Sequence, residues 1–378
     1  MTALENTPAP TATGAPDPAA VDEAKLVAFM GKVLEDCGAA AAVPLVVLGD
    51  KLGLYRAMGD GAPVTAADLA ARTGTAERYV REWLAGQAAG GYVTYDGPGA
   101  DGDADRGRRY HLEPEQAAVL ADDAAPTCML GAFEVFNAAV QIGPRLLETF
   151  RTGEGVGWHE HVPALFSGTA RFFRNGYAAD LVSSWLPALD GMVDRLTAGG
   201  RVADVGCGYG HSTVLMAQAY PASTFVGYDY HPESLESARR LAAEAGLSDR
   251  VTFEIASAGD FPGTGFDLIA YFDCLHDMGD PVGALTHARA ALAPEGTVLL
   301  VEPYAGDDVA DNLNPVGRLF YSASSLICTP ASLSQPVGAA LGTQAGEARL
   351  RAVAEEAGFT RFRRAAETPF NLVLEARP

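Results

Sequence analysis

"VADVGCGYGHST", residues 202–213, decides how this chain folds. An apolar run leads into three alternating glycines, Gly206, Gly208 and Gly210, and then into residues that favour helix. Strand, glycine turn, helix is how α/β proteins bring backbone close to a nucleotide-like ligand. What the stretch lacks narrows the ligand. A dinucleotide fingerprint needs a third glycine three positions after the second, and His211 stands there. A phosphate-binding Walker loop ends in Gly-Lys-Ser/Thr, and no lysine occurs here. Asp204 stands just ahead of the turn. Asp229 ends the next apolar run, "TFVGYD", about 20 residues after the loop, where a carboxylate meets a ribose diol. The alternative for Asp229 is a turn aspartate capping a helix that starts at Pro232. Tyr230 and His231 flank it, either against a nucleoside or at the surface.

Working outward, strands are predicted at Arg201–Val205, Thr224–Asp229, Val251–Ala256, Phe266–Phe272 and Thr297–Glu302, with a last pair at Phe362–Ala366 and Asn371–Ala376. Helical stretches separate the first five, which predicts an α/β, doubly wound sheet with ligands at the carboxyl ends of its strands. No helix separates the last two, so they form an antiparallel hairpin at one edge. Ahead of this domain, residues 1–20 are rich in Pro, Ala and Thr and are expected to be disordered. Residues 21–125 read as mainly helical. "AVPLVVLGDKLGLYRAM" (42–58) is an apolar helix carrying Lys51. "VTAADLAARTGTAERYVREWLAGQAAGGYVTYDG" (64–97) reads as helix, turn, helix, strand, with Thr65 and Thr75 as N-caps and Gly74 at the turn. "GYVTYDG" and "RRYHLEP", joined by the acidic loop "PGADGDADRG", complete a winged-helix pattern. Residues 126–198 read as helices with an irregular insert, "FRTGEGVGWHEHVPALFSGT", and residues 199–378 as the sheet domain.

The bulk numbers set limits. With 378 residues, 48% of them hydrophobic, two sizeable cores are possible. A net charge of -21 repels polyanions, so no nucleic acid partner is expected. No run is long enough to span a bilayer, so no membrane partner is expected either. The five cysteines are scattered, without a CxxC pair, which suits reduced thiols and a cytoplasmic location.

"VADVGCGYGHS", "GYDYHPESLESAR", "FDLIAYFDCLHDM" and "LAPEGTVLLVEP" occur in that order. Together they resemble the successive motifs of class I S-adenosylmethionine (SAM) dependent methyltransferases, from about Gly199 to the C-terminus. With a winged helix in front, the chain resembles small-molecule O-methyltransferases, and "LHDMGDP", "LICTPASLSQ" and "ETPFN" resemble an actinobacterial group of them. The resemblance implies a Rossmann-like, seven-stranded methyltransferase sheet behind an N-terminal, mainly helical winged-helix domain. It implies that Asp204, Gly206, Gly208 and Gly210 line the methionine end of SAM and that Asp229 binds the ribose, with Tyr230 beside it. "IASAGDFP" then meets the adenine. The aspartate usual there is replaced by Ser257, with Asp260 three positions on. Phe272 and Asp273 lie near the sulfonium.

In "CLHDM", His276 stands just beyond the fourth strand, where the related O-methyltransferases carry their general base. Histidine titrates near neutrality and suits removal of a hydroxyl proton; the alternative is a packing or helix-capping residue. Glu302, ending the fifth strand, is placed to orient it. "GWHEH" offers His159 and His161 as a metal-binding HxH pair, but the segment reads as loop and no histidine follows His287, so no metal is expected. A lid or substrate contact suits that pair better. Some related methyltransferases acting on α-keto acids hold iron through an HD pair and a later histidine; here Cys328 falls near that later position.

Among the aromatics that precede the sheet domain are Phe133, Phe136, Trp158, Phe166, Phe172, Phe173, Tyr177 and Trp185. Most are expected in the core and a few, Trp158 and Tyr177 among them, at the acceptor site. The insert at residues 304–335 is long for an α/β connection, and Asn312, Asn314, Arg318 and Tyr321 are its candidate acceptor contacts. The expected whole is a cytoplasmic homodimer, paired through residues 21–125, that methylates a small, aromatic or polyketide-like metabolite of secondary metabolism and releases S-adenosylhomocysteine. Carbon or nitrogen methylation shares the fold, and a SAM-sensing DNA-binding regulator is the rival of another class, with Arg78 and Arg81 on its recognition helix.

Overall fold

The computed structural model describes residues 21–98 and 107–378. The expected N-terminal tail and nearly all of the acidic wing loop lie outside the described residues. Nine strands occur among the described residues: β1 Thr94–Gly97, β2 Arg109–His111, β3 Arg201–Val205, β4 Thr224–Asp229, β5 Val251–Ile255, β6 Phe266–Phe272, β7 Leu292–Pro303, β8 Arg361–Glu367 and β9 Asn371–Arg377. Seven form one sheet in the order β5-β4-β3-β6-β7-β9-β8. β3 to β7 run parallel, while β9 is antiparallel to β7 and β8 antiparallel to β9. The closing hairpin thus sits at one edge, with β9 inserted between β7 and β8.

The parallel strands read as apolar runs because both faces are covered. Alternate residues feed two cores. Val202, Leu268, Ala270 and Val301 pack into one, and Ala203, Val205, Ile269 and Leu300 into the other. The chain winds outward from β3 to β5 and returns to β6 on the other side of β3. That reversal opens a crevice above the carboxyl ends of β3 and β6. β7 begins at Leu292, five residues before the expected start, because its first turn pairs with Phe266 across a register shift.

In front lies the winged helix. Thr65 caps Ala66–Thr73 with a capping box to Asp68, and Gly74 ends it at φ 66°. The next helix, Glu77–Ala89, is capped at Ala76 rather than Thr75, whose hydroxyl pairs with Thr73 instead. β1 and β2 are antiparallel, and Val64 makes an isolated antiparallel bridge to Tyr110. The apolar helix expected at 42–58 is interrupted: its first part is the end of α1 (Glu23–Lys51), which carries Pro44 and stops just before Gly53, where the chain turns left-handed at φ 71°. Leu54–Ala57 is a separate turn of helix.

Residues between the two domains form Leu130–Ala139, Gly143–Thr152 and α2 (Pro163–Asp180), so both ends of the expected irregular insert are helical. Arg171 on α2 donates to Asp50 of α1 at 2.5 Å and to Asp123 at 2.6 Å, joining α2 to the winged-helix half.

Candidate active site

One cavity of about 530 Å³ occupies the crevice. Gly206, Gly208 and Gly210 all adopt positive φ, 75°, 51° and 76°. A side chain at Gly206 would also meet Cys274 Sγ at 2.7 Å. The glycines therefore serve both conformation and close approach. Gly206 and Gly208 are on the cavity wall; Gly210 is the N-cap of the helix His211–Ala219 and packs against Phe253 instead. Asp204 is also behind the wall. Its Oδ2 accepts from Ser212 Oγ at 2.6 Å and Thr213 Oγ1 at 2.5 Å, and burial pushes its carboxyl up to about 6 against those two bonds. It reaches the cavity through Ser212, which is on the wall.

Asp229 faces the cavity and does not cap the helix Pro232–Glu244, whose N-cap is His231. Its two oxygens accept from Gly208 N–H and His231 N–H, each at 2.9 Å, so it ties the glycine loop to the turn after β4. A carboxylate has further lone pairs, which remain for a diol. Burial raises its pKa, and likewise that of Tyr230, also on the wall. Ser257 lines the cavity, and Asp260 turns back to accept from its hydroxyl at 2.6 Å. The displaced aspartate thus acts on the serine that replaces it.

At the end of β6, Phe272 and Asp273 are on the wall. Asp273 holds φ 50°, accepting from Tyr177 OH at 2.8 Å and Asn371 Nδ2 at 2.9 Å. Burial and the nearby Glu302 charge raise its pKa well above the carboxylate range. His276 follows, 3% exposed, with Nδ1 2.5 Å from Glu302 Oε2 and Nε2 3.1 Å from Asp277 Oδ1. Glu302 is behind it, its other oxygen accepting from Leu275 N–H at 2.9 Å. Burial alone would lower the pKa of His276, but the Asp277 and Glu302 charges outweigh it and hold the imidazole well above its ordinary value.

On the acceptor side, Trp158, His159 and Tyr177 are on the wall. His161 is not. It is 5% exposed against Trp158, neither ring nitrogen has a hydrogen-bond partner, and burial lowers its pKa. Phe136, Phe166, Phe172 and Phe173 face the cavity, whereas Phe133 packs on Tyr92 and Trp185 is core. In the insert, Arg318 pairs outward with Asp36 of α1 at 3.0 Å and Tyr321 is off the wall; Leu319, Phe320 and Ala323 are the side that faces in. Asn312 and Asn314 hold local turns and caps.

Sequence reasoning missed His211 and Cys207 as wall residues. Burial pushes His211 down to about 4. The structure also gathers His276, Asp277 and Cys328, whose imidazole, carboxylate and thiol atoms all lie within 4.8 Å of one another. His159 and His161 are not part of that group.

Residues 196–358 match the family profile of a methyltransferase domain, and residues 39–122 that of an Rv2258c-like winged HTH domain. The 27-O-demethylrifamycin SV methyltransferase of Amycolatopsis mediterranei is 31% identical over 166 residues, 40% of this chain; the chain spans 61% of that relative's length. Among solved structures, human N-acetylserotonin methyltransferase, crystallised with SAM, superposes with a TM-score of 0.67 at 16% identity, covering 96% of this chain and 99% of the other. The O-methyltransferase NcsB1 from neocarzinostatin biosynthesis, crystallised with S-adenosylhomocysteine and 1,4-dihydroxy-2-naphthoic acid, does so at 0.59 and 22%, covering 89% and 95%. At these identities the two structures bear on the fold. Residues 196–358 are thus similar to a methyltransferase domain and lie on a seven-stranded sheet, with residues 39–122, similar to a winged HTH domain, ahead of them.

Proposed function

We propose that the protein transfers the methyl group of SAM to a hydroxyl of a small, largely apolar, aromatic metabolite, with His276 as general base. The observation that carries this reading is one continuous cavity, bounded at one end by the glycine loop and Asp229 and at the other by His276 with Glu302 behind it. The first end suits a nucleoside. The carboxylate of Asp277 on the wall suits a sulfonium cation. The remaining wall is mostly aromatic and aliphatic, which suits a flat apolar acceptor.

In the step itself the acceptor O–H bond breaks and its proton passes to Nε2 of neutral His276. The oxygen lone pair forms the new bond to the methyl carbon, and the C–S electrons remain on sulfur as S-adenosylhomocysteine. Glu302 fixes the Nδ1–H tautomer and stabilises the imidazolium formed. On this reading, residues 21–125 serve dimerisation, 126–198 cap the acceptor site and 199–378 bind SAM, in a cytoplasmic enzyme.

The regulator alternative loses support at its own helix: Arg78 pairs with Glu82 and Arg81 with Glu77, which neutralises the basic side chains a phosphate backbone would need. The test is incubation with labelled SAM and aromatic hydroxy compounds, with mass spectrometry of the products. Methyl ethers support the reading; C-methyl or N-methyl products, or none while SAM binds, overturn it.

A further inference from the structure

The five thiols of the chain stand in different surroundings. Cys37 is exposed on α1, and Cys128 is in the core of the winged-helix half. Cys207 and Cys274 are on the cavity wall but turned into the glycine loop. Cys274 Sγ donates to the Val205 carbonyl at 3.2 Å, and Cys207 Sγ lies 2.8 Å from where a side chain on Gly227 would begin. Of the five, Cys328 stands beside the base. Its Sγ lies within 4.8 Å of a His276 ring nitrogen, in hydrogen-bonding reach of the imidazole. Glu302 takes the Nδ1 side of that ring, so the thiol faces Nε2. Cys328 closes a turn of π-helix, Ser324–Cys328, between the helices Pro315–Ala323 and Thr329–Leu333. Such a turn holds an extra residue and re-aims the side chains around it, and here Ile327 and Cys328 both reach the wall. Cys328 is 6% exposed, open to the cavity rather than to bulk solvent. Burial and the Asp277 charge push its thiol up to about 12, so it keeps its proton until a base takes it.

We propose that Cys328 is itself a methyl acceptor: with SAM bound and no hydroxyl substrate beside His276, the enzyme methylates this thiol once and so closes its own acceptor site. This rests on the reading of His276 as the base of a SAM-dependent transfer. The Cys328 S–H bond breaks and its proton passes to Nε2 of neutral His276. A sulfur lone pair forms the bond to the methyl carbon. The bond from that carbon to the sulfonium breaks, and its electrons stay on the cofactor, now S-adenosylhomocysteine. What remains is S-methylcysteine and an imidazolium flanked by the Glu302 and Asp277 carboxylates. A sulfur beside Nε2 stands where an acceptor hydroxyl has to stand, so the base that serves one serves the other. The thioether has no proton to give, it is not a methyl donor, and its methyl group fills the acceptor's place. The modification therefore ends there. A bound hydroxyl takes Nε2 from the thiol, so substrate protects the enzyme.

The full chain, first checked by intact mass for a methyl group already in place, is incubated with methyl-labelled SAM alone, digested and read by tandem mass spectrometry. The expected result is a single labelled methyl group, on Cys328. His276→Ala should slow the labelling by about 10²–10⁴-fold, the loss of a general base. Cys328→Ser should carry no label, with calorimetry against S-adenosylhomocysteine showing that it is folded. Preincubation of the wild type with SAM alone should lower the later rate of methyl ether formation in proportion to the label, whereas Cys328→Ser should hold its own starting rate. Label on another cysteine, no label on Cys328 while SAM binds, or label that His276→Ala leaves at full rate overturns the inference. In the first two cases O-methylation still stands wherever methyl ethers form. Label on Cys328 with no methyl ether from any aromatic hydroxy compound keeps the inference and overturns the O-methylation reading.

Discussion

At the scale of single residues, two carboxylates and a histidine bear the proposal. Asp229 holds the glycine loop through Gly208 and faces the cavity. Asp229→Ala should weaken SAM binding by on the order of 2–3 kcal/mol, since hydrogen bonds to a charged group contribute about 1.5–3 kcal/mol each. Calorimetry showing an unchanged affinity would remove the ribose role. His276→Ala should leave SAM affinity near normal, because its partner is the acceptor proton, while turnover falls by about 10²–10⁴-fold. A variant with full activity would take His276 out of the mechanism. The pH profile adds a signed test. The Asp277 and Glu302 charges raise the pKa of His276, and a base works only when neutral. The wild-type rate should therefore rise with pH through a value above the ordinary ~6.5 of histidine. Glu302→Gln removes one of those charges and should move the rise to lower pH; a rise that stays in place contradicts the assignment. The same raised pKa adds stability that is fully present below about pH 6.5 and is lost as pH climbs through the folded value.

At the scale of elements, the joint between β3 and the helix His211–Ala219 shows what a buried carboxylate does behind a glycine turn. Asp204 is pushed up to about 6, with burial the largest cause, and one of its oxygens has no partner. A carboxyl whose folded pKa is raised stabilises the fold below its unfolded value, and that contribution is lost as pH rises through about 6. Asp204→Asn should remove the loss, so its unfolding free energy gains on the wild type by on the order of 3 kcal/mol between pH 4 and 7. Denaturant titrations showing a pH-independent difference would mean that Asp204 is not buried as an ionisable group. This strand–turn–helix was legible in the sequence because a strand covered on both faces reads as an unbroken apolar run and positive φ favours glycine. The break between α1 and Leu54–Ala57 was not, since Gly53 sits inside a pattern that remains apolar on both sides. Nor was the cavity side of the helix Pro315–Ala323, where Arg318 and Tyr321 drew attention by their polarity. In an amphipathic helix the polar face turns away from an apolar cavity, and Leu319, Phe320 and Ala323 line it instead. The meeting of Asp277 with Cys328, fifty-one positions apart in sequence, has no local signal at all.

At the scale of the molecule, the sheet domain exposes apolar side chains that are spread along the sequence, such as Ile255, Val309 and Val337, whereas the winged-helix half exposes a run of them along one helix. The first part of α1 runs almost wholly exposed, with Leu26, Val27, Phe29, Met30, Val33 and Leu34 all open to solvent. Phe29 is 64% and Leu34 70% exposed, values that a helix on the surface of a stable monomer does not favour over several turns. A second copy is the partner that explains such a helix with no other protein present: a two-fold axis lays the same stripe against itself, which buries both at once. The acidic charge of the chain does not oppose this, because the stripe is apolar and Lys32 on the same helix pairs with Asp36 at 2.6 Å. The pairing also reaches the site, since Asp36 holds Arg318 on the helix whose other face lines the cavity. Light scattering should therefore find a homodimer, and Phe29→Glu with Leu34→Glu should give a folded monomer. In that monomer SAM affinity should hold, because the glycine loop and Asp229 lie in the sheet domain. A wild-type monomer, or a double variant that remains dimeric, would place the interface elsewhere.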